Sequence, residues 1–268
     1  MKNTIIIRLE GSVVSQIGFV ALYKYLTDKG YDVKFDTVTN SFRKVNNEAT
    51  YCYDSLLRFI FPNLVFNYAT KEEINEFQQY KIELITKESI YTLKAPLYIV
   101  GYGDMMPLIL IYRDFLIANF KANNESLMQS ISLDSNSCAF YIDDTLNLYH
   151  GSYGRKLSTD FIAKSMYVMN SLSSNIKFHF LVHDYGYFSQ YIVPFLEKLP
   201  FISEFFVTSL EEALYFSMHT GGIISTTPLG ALARILSNKC QYAIFRDYNK
   251  EIFDNFSNCI LINDNGGR

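Results

Sequence analysis

There is no tryptophan in the 268 residues, and only 6 prolines and 4 cysteines. Cys52, Cys138, Cys240 and Cys259 form no C-x-x-C pair and have no histidine at zinc-ligand spacing, which argues against a stapled or zinc-held fold. Reduced, mostly buried thiols are expected instead. Long apolar runs are also missing: the longest apolar neighbourhood, 97–117, is broken by Asp104 and Arg113 and is too interrupted to span a bilayer. Basic charge is not in excess. With a net charge of -3 and a pI near 5.8, the chain has no sign of the basic stripe that a nucleic-acid binder uses to displace counterions. Met1-Lys2-Asn3 runs straight into a strand-like stretch, so no signal peptide is expected. The expectation is a soluble cytoplasmic protein, with at most peripheral membrane contact. Its partners would be small molecules or proteins.

What is present is a globular composition, 49% hydrophobic and 19% charged, without repeats or low-complexity segments. Ile5-Ile6-Ile7-Arg8-Leu9 reads as a fully buried strand, and Glu10-Gly11-Ser12 as a loop that delivers the chain into a helix near Ser15 or Gln16. Loops leaving the carboxyl ends of strands carry the ligands of open α/β sheets. This one is neither a dinucleotide fingerprint nor a P-loop: Gly11 is its only glycine before Gly18, and no Gly-Lys-Ser/Thr follows.

Helical spacing of Ile17, Val20, Ala21 and Tyr25, a stop at Gly30 and a strand over 31–36 complete a βαβ unit. Further on, the pattern predicts short helices over 53–61 and 71–80, a buried strand over 97–100 and a helix over 109–120. The polar stretches between residues 121 and 137 mark the expected boundary, giving domains 1–125 and 137–268. In the second, strands are expected over 138–142, 177–182, 205–207 and 222–225. Helices are expected from Ser158, over 188–196, from a capping box at Ser209 to Glu212, and after Pro228 to Ser237. The fold class is α/β: two open Rossmann-like domains with a cleft between them.

Taken together these positions resemble the inverting α-1,2-fucosyltransferases of glycosyltransferase family eleven. Members open with R-L-x-G-G-L-G-N-Q-M-F-Q-Y-A. Here Arg8, Leu9, Gly11, Gln16 and Ala21 are kept. The family's L-x-G-Y is similar to Ile99-Val100-Gly101-Tyr102, its F-S-D-D to Val182-His183-Asp184-Tyr185, and its I-I-x-N-S-S to Ile223-Ile224-Ser225-Thr226-Thr227. The family's H-x-R-R-G-D, whose arginine helps hold the donor diphosphate, corresponds to Tyr141-Ile142-Asp143-Asp144-Thr145-Leu146. Two carboxylates stand where two guanidiniums are expected. An anion in place of a cation adds repulsion of about 1 to 4 kcal/mol at about 4 Å, so a diphosphate would need another cation: Arg155 and Lys156, or Arg8 and Arg234.

The resemblance implies a GT-B enzyme that moves a deoxysugar, by family default L-fucose from GDP-fucose, onto a glycan or lipid-linked polysaccharide intermediate such as an O-antigen precursor. No cofactor and no bound metal are expected. The candidate catalytic residues are Asp143 or Asp144 as a base toward the acceptor hydroxyl and His183 as an acid or base. The candidate donor-binding residues are Gly11, Gln16, Asp184, Ser225, Thr226 and Thr227, the last three at a helix head suited to phosphate oxygens. Blander readings stand beside these: a plain N-cap at Ser225 to Thr227, a hydrogen-bonded His183, and a solvated rim or a metal at the two aspartates. Glu212 is read as stabilising its helix's N-terminus. A binding subunit that has lost the chemistry, or a transferase with a different donor, are the alternatives that the missing arginines raise.

Overall fold

The computed structural model describes residues 3–11, 13–37, 57–58, 60–83, 89–101, 105–121, 135–142, 158–182, 185–246 and 258–262. The chain divides into two compact units, Met1–Asn123 and Asn124–Arg268. Each is built on one wholly parallel sheet.

In the first unit β1 (Thr4–Arg8) runs into α1 (Val13–Asp28) and returns as β2 (Asp32–Asp36). There follow α2 (Lys71–Phe77), β3 (Lys81–Ile82), β4 (Leu97–Ile99), α3 (Met106–Ile111) and α4 (Arg113–Asn119). The sheet order is β2-β1-β4-β3. Because β1 is flanked on both sides, Ile5, Ile6 and Ile7 are fully buried, which is why the strand reads as an unbroken apolar run rather than an alternation. Helix α1 begins two residues earlier than expected and closes on Gly30, where Tyr31 N–H reaches Leu26 C=O at 3.1 Å and Gly30 N–H reaches Thr27 C=O at 2.9 Å. Buried Asp36 accepts the Tyr98 hydroxyl at 2.5 Å, so the carboxylate enters the core with a partner.

Two expectations in this unit are corrected. The single helix over 109–120 is two helices broken at Tyr112, whose φ of -100° and ψ of 19° leave the helical region, and the first starts earlier, with Pro107 in its first turn. Strand β3, two residues long, was not anticipated. Of the helix expected over 53–61, residues 53–56 and 59 lie outside the described residues, while 57, 58 and 60 are helical.

The second unit contains β5 (Ser137–Ile142), α5 (Thr159–Leu172), β6 (Lys177–Val182), α6 (Tyr185–Tyr187), a π turn (Phe188–Ile192) and α7 (Val193–Leu196). It continues with β7 (Ile202–Val207), α8 (Leu210–Met218), β8 (Gly222–Ser225), α9 (Pro228–Leu236), β9 (Tyr242–Arg246) and β10 (Cys259–Ile262). The order is β10-β9-β8-β5-β6-β7. Its core is aromatic: Phe140 and Phe180 stack at 4.7 Å, with Phe161 edge-on to Phe140 and Ile162, Met166 and Met169 buried along α5. The expected helix over 188–196 starts at Tyr185 and changes winding at the π turn. Pro194, with no N–H to give to Gln190 and a ring that crowds the preceding turn, sits just beyond it. Strands β9 and β10 were not expected. Among the described residues, no helix is long and apolar enough to cross a membrane.

Candidate active site

In each unit the strand order reverses at one place. The first strand, β1 or β5, has its successor on one side and a later strand, β4 or β8, on the other. Loops leaving the carboxyl ends of such a pair diverge to opposite faces and open a crevice, the usual ligand position in this class of sheet.

At the β1/β4 position Arg8 holds Glu10 through Nε at 3.1 Å and Nη2 at 2.7 Å, both to Oε2. The other carboxylate oxygen of Glu10 accepts the N–H of Gly101. Thus one carboxylate ties the loop after β1 to the loop after β4, leaving a partly exposed guanidinium beside it. Gly101 has a φ of 90°, and a Cβ there would stand 2.2 Å from the Glu83 carbonyl oxygen, so only glycine serves. Gly11, with φ at 84°, offers its carbonyl to Gln16 Nε2 at 3.3 Å. Gln16 is buried, and its Oε1 has no hydrogen-bond partner among the described residues. The structure therefore brings Gly11 and Gln16 together, and adds Glu10, which the sequence reading passed over. The available signal was a lone carboxylate directly after a buried strand.

At the β5/β8 position Tyr141 is in register with Ser225. Ser225 and Thr227 are buried and Thr226 is half-buried. The Ser225 hydroxyl accepts the Thr227 N–H at 3.1 Å and lies 3.2 Å from the Thr227 hydroxyl. Its work is inside the turn. Thr227 is the residue before α9, extended at φ -130° and ψ 160°, and its side chain makes no capping bond. Pro228 brings no N–H to the first turn. Among the described residues the head of α9 thus has no cap from the side chain of its N-cap residue, and Thr226 is the residue of the three with exposure to spare. An anion there would meet first-turn N–H groups and the positive end of the helix dipole.

Asp143, Asp144, His183 and Asp184, together with Arg155 and Lys156, lie outside the described residues. In the chain the first two directly follow Ile142 of β5 and the next two directly follow Val182 of β6. Arg234 is described. It belongs to the last turn of α9 and interacts with Cys240 and Cys259, at the amino ends of β9 and β10, which is the end of the sheet opposite Ser225. Burial pushes the Cys240 thiol up to about 12 and raises those of Cys138 and Cys259. Glu212 closes a capping box with Ser209, its carboxylate accepting the Ser209 N–H at 2.8 Å and its backbone N–H donating to the Ser209 hydroxyl at 3.2 Å, the helix-stabilising role expected of it. Among the described residues no group of three or more His, Cys, Asp or Glu is placed to hold a metal ion.

No protein-family model and no curated protein matches the chain. In fold the chain is similar to the crystal structure of NodZ α-1,6-fucosyltransferase soaked with GDP-fucose. The identity is 12% and the TM-score 0.52, over 93% of this chain and 96% of that one. For the same enzyme co-crystallised with GDP the identity is 12% and the TM-score 0.51, over 92% and 96%. The E. coli heptosyltransferase WaaC with ADP is matched at 9% identity and a TM-score of 0.46, over 98% and 94%. The fold is the two-domain Rossmann-like architecture of GT-B glycosyltransferases.

Proposed function

We propose that the chain is an inverting glycosyltransferase. It moves a sugar, by family resemblance L-fucose from GDP-fucose, onto a glycan or lipid-linked polysaccharide intermediate at the cytoplasmic side of the inner membrane. The observation that carries this reading is the turn at the carboxyl end of β8, where Ser225 braces the backbone, Thr226 is presented and the N-cap residue Thr227 makes no side-chain cap to α9. The likeness in fold to an enzyme crystallised with GDP-fucose supports a nucleotide-sugar as the ligand. On this reading the unit Asn124–Arg268 holds the nucleotide through Thr226 and Asp184, and the unit Met1–Asn123 holds the acceptor.

The acceptor hydroxyl attacks the anomeric carbon, the bond from that carbon to the diphosphate oxygen breaks, and the hydroxyl proton passes to a carboxylate, Asp143 or Asp144, with His183 as the other candidate. Charge develops on the departing diphosphate. Preorganised N–H groups stabilise such charge without reorganising. Of the described cations considered for that charge, Arg8 is already paired with Glu10. Arg234 is withdrawn from that role, because it is engaged at the far end of its sheet.

The test is a thermal-shift series with GDP, UDP, dTDP and CMP, each with and without a divalent cation. A ligand that binds only the folded state stabilises by about 2.7 kcal/mol at a hundredfold excess over its Kd. A shift with GDP alone keeps the donor implied by the resemblance. A shift with another nucleotide, or only with metal, means that the aspartates have changed the donor site. Silence from all four sinks the reading and leaves a protein that keeps the fold without the chemistry.

A further inference from the structure

β7 is the last strand of the six-stranded sheet and pairs only with β6 among the described residues. Thr208 N–H donates to Val182 C=O at 2.9 Å. Counting back along a ladder in which alternate residues face each neighbour, the even-numbered residues of β7 turn their backbone groups to β6. Ser203, Phe205 and Val207 turn theirs outward. Most of the usual protections of an edge are missing from the strand itself. It has no lysine, no arginine, no proline and no bulge. Its only charge, Glu204, is drawn onto its own sheet, 2.5 Å from Lys177 Nζ and 3.5 Å from His179 Nδ1. Meanwhile Ile202, Phe205 and Val207 are 67%, 44% and 58% exposed. Tyr185, itself exposed, stacks on Phe205 at 5.5 Å and widens the apolar strip on that face.

We propose that this edge is a two-fold interface between two copies of the chain, with β7 antiparallel to β7 of the second copy and Phe205 at the axis. The strand fits its own copy for a reason of register. A two-fold axis perpendicular to the sheet pairs residues of like parity, so outward groups meet outward groups only if the sum of the paired numbers is even. Centring on Phe205 sets Phe205 against Phe205 of the second copy and Ser203 against its Val207. All three outward residues are then used, for about six backbone hydrogen bonds. Centring on Glu204 would lose one such pair and set like charges directly opposite each other, which is destabilising. In the favoured register Phe205, Val207 and Tyr185 of both copies share one face and cover each other. The same surface patch serves both protomers, as a closed dimer requires.

The experiment is sedimentation velocity on the full chain from about 1 to about 100 μM, a range that resolves dimers of ordinary affinity. It is run on the wild type, Phe205→Pro and Val207→Lys. The Phe205 N–H faces outward, so proline there removes a donor to the second copy and none to β6, which is where edge strands tolerate it. The wild type is expected to shift with concentration to twice its 31.0 kDa mass. Both variants are expected to stay monomeric with native circular dichroism, their dimer Kd raised at least about tenfold. A wild type that remains monomeric throughout overturns the proposal, as does a dimer that survives Val207→Lys. Should Phe205→Pro fail to fold, Val207→Lys alone decides, since its side chain is solvent-exposed and its lysine adds charge without touching the β6 ladder.

Discussion

Gly230 lies against Ser225 so closely that a Cβ on the glycine would stand 2.1 Å from the serine Cβ and 2.4 Å from its Oγ. The absent side chain lets α9 settle onto the end of β8, and the same contact fixes the hydroxyl that braces the turn at Thr226 and Thr227. Glycine at this position in a strand-turn-helix unit serves close helix–strand packing.

Gly230→Ala is therefore expected to lower stability by about 1–3 kcal/mol, the usual cost of an overpacked core, and, on the proposed function, to weaken nucleotide binding by displacing Ser225. Urea denaturation and a nucleotide titration would be read together. A variant as stable as the wild type would show that α9 has room to move.

Glu10 joins Arg8, at the end of β1, to Gly101, 91 residues away from the glutamate in the chain. Glu10→Ala leaves the Gly101 N–H without its acceptor and Arg8 without its counter-charge, at an expected cost of about 1–3 kcal/mol. Glu10→Gln, which keeps an acceptor and loses the charge, should fall between. Amide hydrogen exchange at Gly101 should quicken in the order wild type, Gln, Ala. An unchanged exchange rate in the Ala variant would mean that the bond does not hold the loop.

Cys138 and Cys240 should resist alkylation in the folded protein at pH 8, where an unperturbed thiol near 8.5 reacts readily, because burial disfavours their thiolates. Both should label fully in denaturant. Linkage adds a second signature. As pH rises above about 9 the unfolded chain gives up these protons while the folded chain keeps them, so stability falls with alkaline pH, for Cys240 until its folded thiol ionises near 12. Site-resolved labelling by mass spectrometry and urea midpoints between pH 8 and 10 would check both. Rapid labelling of Cys240 in the native state would contradict its burial.

Local signals in the chain were strong where the residues that create a feature are also the residues that show it. Ser209 and Glu212 lie three apart and cap the same helix end, so the box is legible before any folding. Gly30 ends α1 within a single turn, and the β-branched run at Ile5 to Ile7 announces a strand covered on both faces. The π turn was not legible, since it follows from where Pro194 falls relative to a helix start that moved to Tyr185. Strands β9 and β10 escaped because short apolar segments carry no decisive periodicity. They are strands because β8 and then β9 offer them parallel edges.

By itself the sequence determined the alternation of strands and helices, the caps and stops, and a pair of strand-end loops rich in small and polar residues, since these arise from contacts a few residues apart. Only the tertiary structure decided that Ser225 braces its turn, that Glu10 meets Gly101, that Arg234 belongs to the cysteine end of its sheet and that β7 is left as the edge. Each of those depends on the order in which strands lie side by side. That order is set by burial summed over a whole sheet, which no short window of residues contains.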